Sequence, residues 1–180
     1  VDWEAVFAPY DAETYQFVVD RIQPHDVVLD IGAGDLRLAR RLAALAQRVY
    51  AVERNPGVLS QSDRSARPDN LIVVCEDALT WPFPRDVTVG VLLMRHCTHT
   101  ADYIARLKAI GSARLITNAR WKMGVEEIDL RSGVSYDPDR VGWYACACGG
   151  VGFTSGDPDM ITPQMLNEVI EVTRCPYCGA

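Results

Sequence analysis

The stretch Val27-Val28-Leu29-Asp30-Ile31-Gly32-Ala33-Gly34 limits what this chain can become more than any other. It begins as a short apolar run and ends in two glycines separated by one residue. Leu36, Leu38, Ala39, Leu42, Leu45 and Ala46 then recur at helical spacing. A strand, a glycine turn and a helix in that order open a doubly wound α/β sheet. The apolar run suits a central parallel strand covered on both faces. Gly32 and Gly34 permit a tight turn and let a ligand lie against the backbone.

Asp30 narrows the ligand. It sits two residues before Gly32, at the C-terminal tip of the expected strand. A carboxylate there repels a dinucleotide pyrophosphate and attracts a cation that carries no phosphate. S-adenosylmethionine, with its ammonium and sulfonium groups, meets that description. Arg37 stands where the third glycine of a dinucleotide motif would be. No G-x-x-x-x-G-K-[ST] run occurs, which excludes a P-loop.

A chain of 180 residues, 48% of them hydrophobic, can bury one full core with a small appendage. Its net charge of -6 argues against a broad nucleic-acid-binding face and leaves a local basic groove open. Residues 1–24 are amphipathic and acidic, unlike a signal peptide. No apolar run approaches the roughly 20 residues of a membrane span. The expectation is a cytoplasmic protein.

Asp11 to Ile22 reads as an opening helix, with strands at Arg48–Glu53, Leu71–Cys75, Val87–Leu93 and Ser112–Thr117. Ala101 to Ile110 reads as a helix, Ser60 to Asn70 as a polar loop, and Asn55-Pro56-Gly57 as a turn opening a short helix. Glu53 follows the glycines by about 20 residues, the position of an acid that accepts hydrogen bonds from ribose hydroxyls. Asp77, just past the third strand, could reach an adenine amino group or cap a turn. Cys75 reads as a small buried hydrophobe. Arg37, Arg40, Arg41 and Arg48 read as a solvated helix face.

Chemistry in an open α/β sheet lies beyond the C-terminal strand ends. The loop Met94-Arg95-His96-Cys97-Thr98-His99-Thr100 occupies that place after the fourth strand. His96 or His99 could serve as a general base, or either could be a loop histidine bonded to backbone. Cys97 lacks the Pro-Cys context of a cytosine-methylating nucleophile.

The rhythm changes after Asn118. Trp121 to Leu130 fits a short helix or a strand equally. Trp143 to Phe153 reads as a hairpin with a Gly-rich corner. Thr162-Pro163 reads as a cap and first-turn proline opening a helix through about Val172, with Met165, Leu166, Val169 and Ile170 packed into the core. Cys146-Ala-Cys148 and Cys175-Pro-Tyr-Cys178 place four thiols in two close pairs. Such pairs suggest metal before disulfide, and four thiolates suit a closed tetrahedral structural zinc; an iron–sulfur cluster is the alternative. That element would pin the C-terminal tail to the hairpin or dock a substrate.

Together these pieces resemble the class I S-adenosylmethionine-dependent methyltransferases. The resemblance rests on Val-Leu-Asp-Ile-Gly-Ala-Gly (28–34), Ala-Val-Glu (51–53), Glu-Asp-Ala (76–78) and the strand at 87–93, and it covers about Asp11 to Asn118. It implies a Rossmann-like, mostly parallel, seven-stranded sheet. By it, Asp30, Gly32 and Gly34 hold the methionine end of the cofactor, Glu53 binds the ribose and Asp77 the adenine. Two departures matter. Such families often carry a further glycine where Leu36 stands, and the Asn-Pro-Pro-Tyr tetrad of amino-methylating nucleic-acid enzymes is replaced by Met94-Arg95-His96-Cys97. The expected division is a cofactor-binding core at 1–120 and a zinc-ribbon-like extension at 121–180. The 143–153 hairpin either replaces the last two strands of the sheet or forms the metal knuckle. The expected acceptor is a macromolecule, RNA or protein. The alternatives are a small-molecule methyltransferase and a non-catalytic cofactor-binding or scaffolding domain.

Overall fold

The computed structural model describes residues 9–60, 68–120 and 124–179. The extreme N-terminus, most of the loop read between Ser60 and Asn70, and the start of the ambiguous Trp121–Leu130 stretch lie outside the described residues.

Five parallel strands form as the alternation of apolar runs and helical patterns requires. They are β1 (Val27–Ile31), β2 (Arg48–Val52), β3 (Leu71–Val74), β4 (Val89–Leu92) and β5 (Arg114–Thr117). All five residues of β1 are buried, as suits a strand with helices on both faces. Between the strands run α2 (Arg37–Ala43), α3 (Pro56–Ser60) and α4 (Thr100–Ala109), and α1 (Ala12–Val19) precedes them. Asp11 caps α1 by accepting the Thr14 N–H at 2.7 Å.

A sixth strand, β6 (Glu126–Asp129), pairs antiparallel with β5. This decides the ambiguous stretch in favour of a strand. The order is β3-β2-β1-β4-β5-β6, so among the described residues the sheet has six strands where seven were implied. The first sheet therefore runs past residue 120, where the sequence division was drawn.

One face of this sheet buries Val28, Val49, Val89 and Ile116 against Val18, Leu36 and Leu42 of the α1–α2 side. The other buries Leu29, Ile31, Leu92 and Leu115 against Ile104 and Leu107 of α4. Cys75, expected in the core, is exposed, because β3 is an edge strand that ends one residue earlier.

The chain turns from β1 into α2 through three left-handed residues in five: Gly32 (φ 73°), Gly34 (φ 56°) and Leu36 (φ 67°). Leu36 thus stands in a conformation that favours glycine, yet its side chain is fully buried. The left-handed backbone costs a branched L-residue roughly 1–2 kcal/mol, while burying a leucine stabilises by more. A Leu36→Gly protein should lose roughly 2 kcal/mol in urea unfolding. Leu36→Ala should lose about 1 kcal/mol more, reversing the usual order of alanine over glycine.

The last third forms a separate three-stranded sheet, β8-β7-β9, from β7 (Gly142–Cys146), β8 (Val151–Thr154) and β9 (Val169–Val172). The hairpin of β7 and β8 is there as expected, and it carries the first cysteine pair rather than completing the large sheet. The helix expected through Val172 stops early. Helix α5 covers only Pro163–Asn167, Glu168 turns extended, and Val169–Val172, β-branched at three of its four positions, pairs parallel with β7. Leu166, placed in the core by its spacing, is 46% exposed.

Candidate functional site

A cavity of about 760 Å³ opens at the C-terminal ends of β1, β2 and β4. This is the size and place expected of a small-molecule site in an open α/β sheet. Asp30, Gly32, Glu53 and Asp77 line it, as do the cavity-facing residues Met94 to Cys97 of the loop after β4. The structure therefore brings together most of the residues singled out by motif.

Asp30 is 3% exposed, and its Oδ2 atom is buried without a hydrogen-bond partner. Burial, with the Glu53 charge adding to it, pushes its carboxyl up to about 7. A buried, unpartnered acid is the arrangement that a ligand cation relieves. The backbone beside it is already committed, since the N–H groups of Gly32 and Ala33 donate to the Val52 carbonyl at 2.9 and 3.0 Å. A Cβ built on Gly32 would lie 3.2 Å from Met94 Sδ on a left-handed backbone (φ 73°), so a side chain there is strained.

Glu53 is held from two sides. The Gly34 N–H donates to its Oε2 at 3.0 Å and the Asn55 N–H to its Oε1 at 2.8 Å. The glycine turn thus orients the acid that the sequence assigns to a ribose. Asp77 uses Oδ1 to accept the Leu79 N–H at 2.8 Å, so it caps a turn while also lining the cavity. The turn cap is thus formed, and the cavity position is what a contact to adenine would require.

The histidines separate. His96 lines the cavity, whereas His99 is outside its lining. His99 sits at the start of α4 with Nδ1 3.0 Å from Asp102 Oδ2, which makes it a helix-end residue. Its spacing from His96 gave no sign of this, because the turn of the helix decides where each ring goes.

Sequence reasoning missed the opposite wall. Tyr10, Tyr15 and Arg37 line the cavity. The Tyr10 N–H donates to Tyr15 Oη at 3.0 Å, and the Arg95 N–H donates to Tyr10 Oη at 3.1 Å. Arg37 is exposed, as its solvated-face reading expects, and also reaches back to Asp35 in a two-pronged ion pair (Nε–Oδ2 2.8 Å). The N-terminal segment is therefore tied across the cavity to the loop after β4. A tyrosine pair outside any glycine motif carries no such signal.

Residues 28–114 match the family described as methyltransferase domain. The match covers just under half of the chain. Solved structures share the fold. The domain is similar to precorrin 8W decarboxylase from Methanobacterium thermoautotrophicum, with a TM-score of 0.52, 24% identity, and cover of 63% of this chain and 65% of that one. It is similar also to the 23S rRNA methyltransferase ErmE, with a TM-score of 0.52, 24% identity, and cover of 60% and 46%. Among curated proteins, 68 residues are 41% identical to a probable ribosomal RNA small subunit methyltransferase A of Methanosarcina acetivorans, over 37% of this chain and 25% of that protein. Another 65-residue match, 37% identical, is to protein-L-isoaspartate O-methyltransferase 1 of Syntrophobacter fumaroxidans, over 34% of this chain and 30% of that protein. The chain thus matches less than a third of the length of either curated relative.

A second cluster lies in the small three-stranded sheet and the tail after it. The Sγ atoms of Cys146, Cys148, Cys175 and Cys178 all lie within 4.8 Å of one another. Three separations are 3.5 Å (Cys148–Cys175), 3.7 Å (Cys146–Cys178) and 3.9 Å (Cys175–Cys178). Tetrahedral thiolates at about 2.3 Å from one ion stand about 3.8 Å apart. The four cysteines are free thiols, too far apart for disulfides. The Gly150 N–H points at Cys148 Sγ (3.4 Å), and a Cβ on Gly150 would lie 3.1 Å from Cys175 Sγ, so a glycine is needed behind the sulfurs. The arrangement can close around a single metal ion.

Among the described residues no helix is long and apolar enough to cross a membrane.

Proposed function

We propose that this chain is an S-adenosylmethionine-dependent methyltransferase acting on a macromolecule, RNA before protein. The single observation that carries the cofactor is the buried, unpartnered Asp30 carboxylate under the glycine turn. Its charge favours a cationic, phosphate-free nucleoside. When bound, that cofactor supplies an electrophilic methyl group open to in-line displacement. Asp30 and the turn at Gly32 and Gly34 hold the cationic end. Glu53, oriented by Gly34 and Asn55, accepts from the ribose hydroxyls. Asp77 keeps one carboxylate oxygen for the adenine amino group while the other caps its turn. His96, on the cavity wall, is placed to take a proton from the acceptor. His99 then serves the start of α4 rather than the reaction.

RNA ranks first among acceptors because two of the similar proteins bear ribosomal RNA methyltransferase names. Titration calorimetry with S-adenosylmethionine tests the cofactor, and labelled-methyl transfer to deproteinised ribosomal RNA tests the acceptor. Absence of binding would reject the enzyme reading; binding without transfer to RNA would move the acceptor to protein or a small molecule. Glu53→Ala should weaken cofactor binding about thirtyfold, the loss of roughly 2 kcal/mol from charged hydrogen bonds to two hydroxyls.

The four cysteines, on this reading, hold one structural zinc. Their four sulfurs fill a tetrahedron and leave no position for chemistry. Mass-spectrometric metal analysis should find one equivalent of zinc, and folded metal-free protein would overturn the assignment. Reduced thiols in such a cluster suit a cytoplasmic protein.

A further inference from the structure

The two sheets are joined by one buried cation. Arg120 has a side chain that is 0% exposed. Its Nε and Nη2 donate to Glu126 of β6 at 3.1 and 3.0 Å. Its Nη1 donates to Glu171 of β9 at 2.8 Å, with a second, shorter contact from Nη2. A guanidinium fork matched to two carboxylates from two sheets fixes both in distance and orientation.

Each end of this strut leads somewhere particular. Toward the cavity, the Ala119 N–H donates to Thr117 Oγ1 at 3.0 Å, and that hydroxyl donates to the Leu92 carbonyl at 2.7 Å. Leu93 and Met94, which line the cavity, follow directly. Toward the cysteines, Glu171 lies opposite Ala145 in the β7–β9 ladder, and Cys146 lies opposite Val172. Ala147, between two of the thiols, packs on the apolar cluster that also receives Met94, Cys97 and Ala119. The hydrogen bonds of this strut run through β4, β5, β6 and β9 and none of them reaches β1, β2 or β3, although the apolar cluster under Ala147 also includes Leu29, Ile31 and Val52.

The small sheet has a small buried core: Tyr144, Cys146, Val172 and Cys175, two of which are the thiols themselves, with Tyr136, Cys148 and Ile170 packed against them. A unit of that size depends heavily on a bound metal for its stability.

Resting on the reading of the four cysteines as a metal site, we propose that Arg120 is a positioning residue. Through it the metal-bound sheet holds the acceptor side of the cavity in shape, while cofactor binding proceeds independently. Metal loss releases β9, Glu171 leaves Arg120, and the turn after β5 loosens together with the loop after β4.

Hydrogen–deuterium exchange on the full chain reads this directly. Stripping zinc with a competing chelator under reducing conditions should speed exchange at least tenfold at residues 92–97 and 117–120. The S-adenosylmethionine dissociation constant should change less than threefold by calorimetry. Glu171→Gln, which keeps all four cysteines, should retain zinc and still speed exchange at 117–120 several-fold; Arg120→Lys should fall between it and the parent protein. Faster exchange confined to residues 134–178, in both the stripped protein and Glu171→Gln, would overturn the proposal. If the purified chain holds no metal, the metal reading fails on its own, and Glu171→Gln still decides whether the strut shapes the cavity.

Discussion

Asp30→Asn should bind S-adenosylmethionine about a hundredfold more weakly at pH 8, while its cofactor-free form becomes more stable. The two effects share one cause. Burial pushes the Asp30 carboxyl up to about 7, against an ordinary carboxylate value of 3.8. The folded protein therefore holds this proton more tightly than the unfolded chain does. Folding stability falls as pH rises from about 4 through 7, and above 7 the ionised acid carries a penalty of up to roughly 4 kcal/mol. Asparagine never ionises, so that penalty is absent from the variant. Thermal unfolding of the cofactor-free proteins at pH 8 should place Asp30→Asn above the parent, and the gap should close toward pH 4.

Binding has the opposite sign. A cation needs the ionised acid, so below about pH 7 a proton must leave before it can be held. Affinity of the parent protein should then drop about tenfold for each pH unit below 7, with one proton released per cofactor bound. Calorimetry in buffers of different ionisation enthalpy measures that proton. The variant should show a weak affinity that is flat with pH. Equal affinity in parent and variant at pH 8 would remove the electrostatic basis for the cofactor.

Arg120→Leu should destabilise the protein by about 3–5 kcal/mol, the loss typical when one partner leaves a buried ion pair. Glu126 and Glu171 would then face each other with no cation between them. Each kilocalorie lowers the midpoint of a chain this size by about 2–4 °C, so the melting temperature should drop by roughly 10 °C. A triple replacement, Arg120→Met with Glu126→Gln and Glu171→Gln, should recover most of that loss, because it removes the uncompensated charges. A single substitution that left the melting temperature within about 2 °C would mean that water reaches the carboxylates and the cluster is not sealed.

The elements around the glycine turn could be read residue by residue because each depends on its own neighbours. Val27 to Ile31, apolar except for Asp30, becomes a central strand with the same bounds. The glycines at 32 and 34 adopt the left-handed backbone that only they take without strain. The paired cysteines lie where two short turns bring them, and spacing alone announced them. Proximity in three dimensions is what spacing does not carry. Val169 to Val172 continues a helical pattern after Pro163, yet it becomes a strand because β7 offers it an open edge. His96 and His99 look equivalent in the chain, and only the start of α4 turns one of them away from the cavity.

Sequence by itself therefore determined the large α/β sheet, the end of its cavity at Asp30, Gly32 and Glu53, and the four-thiol cluster, since each is encoded in runs of adjacent residues. Tertiary structure decided what is buried and what meets across long separations. It took Arg120, one of 18 basic residues, and sealed it between glutamates 6 positions and 51 positions away. It stripped Asp30 of water and partners and so raised its proton affinity. Desolvation is a property of the packed surroundings, and no local pattern of residues contains it.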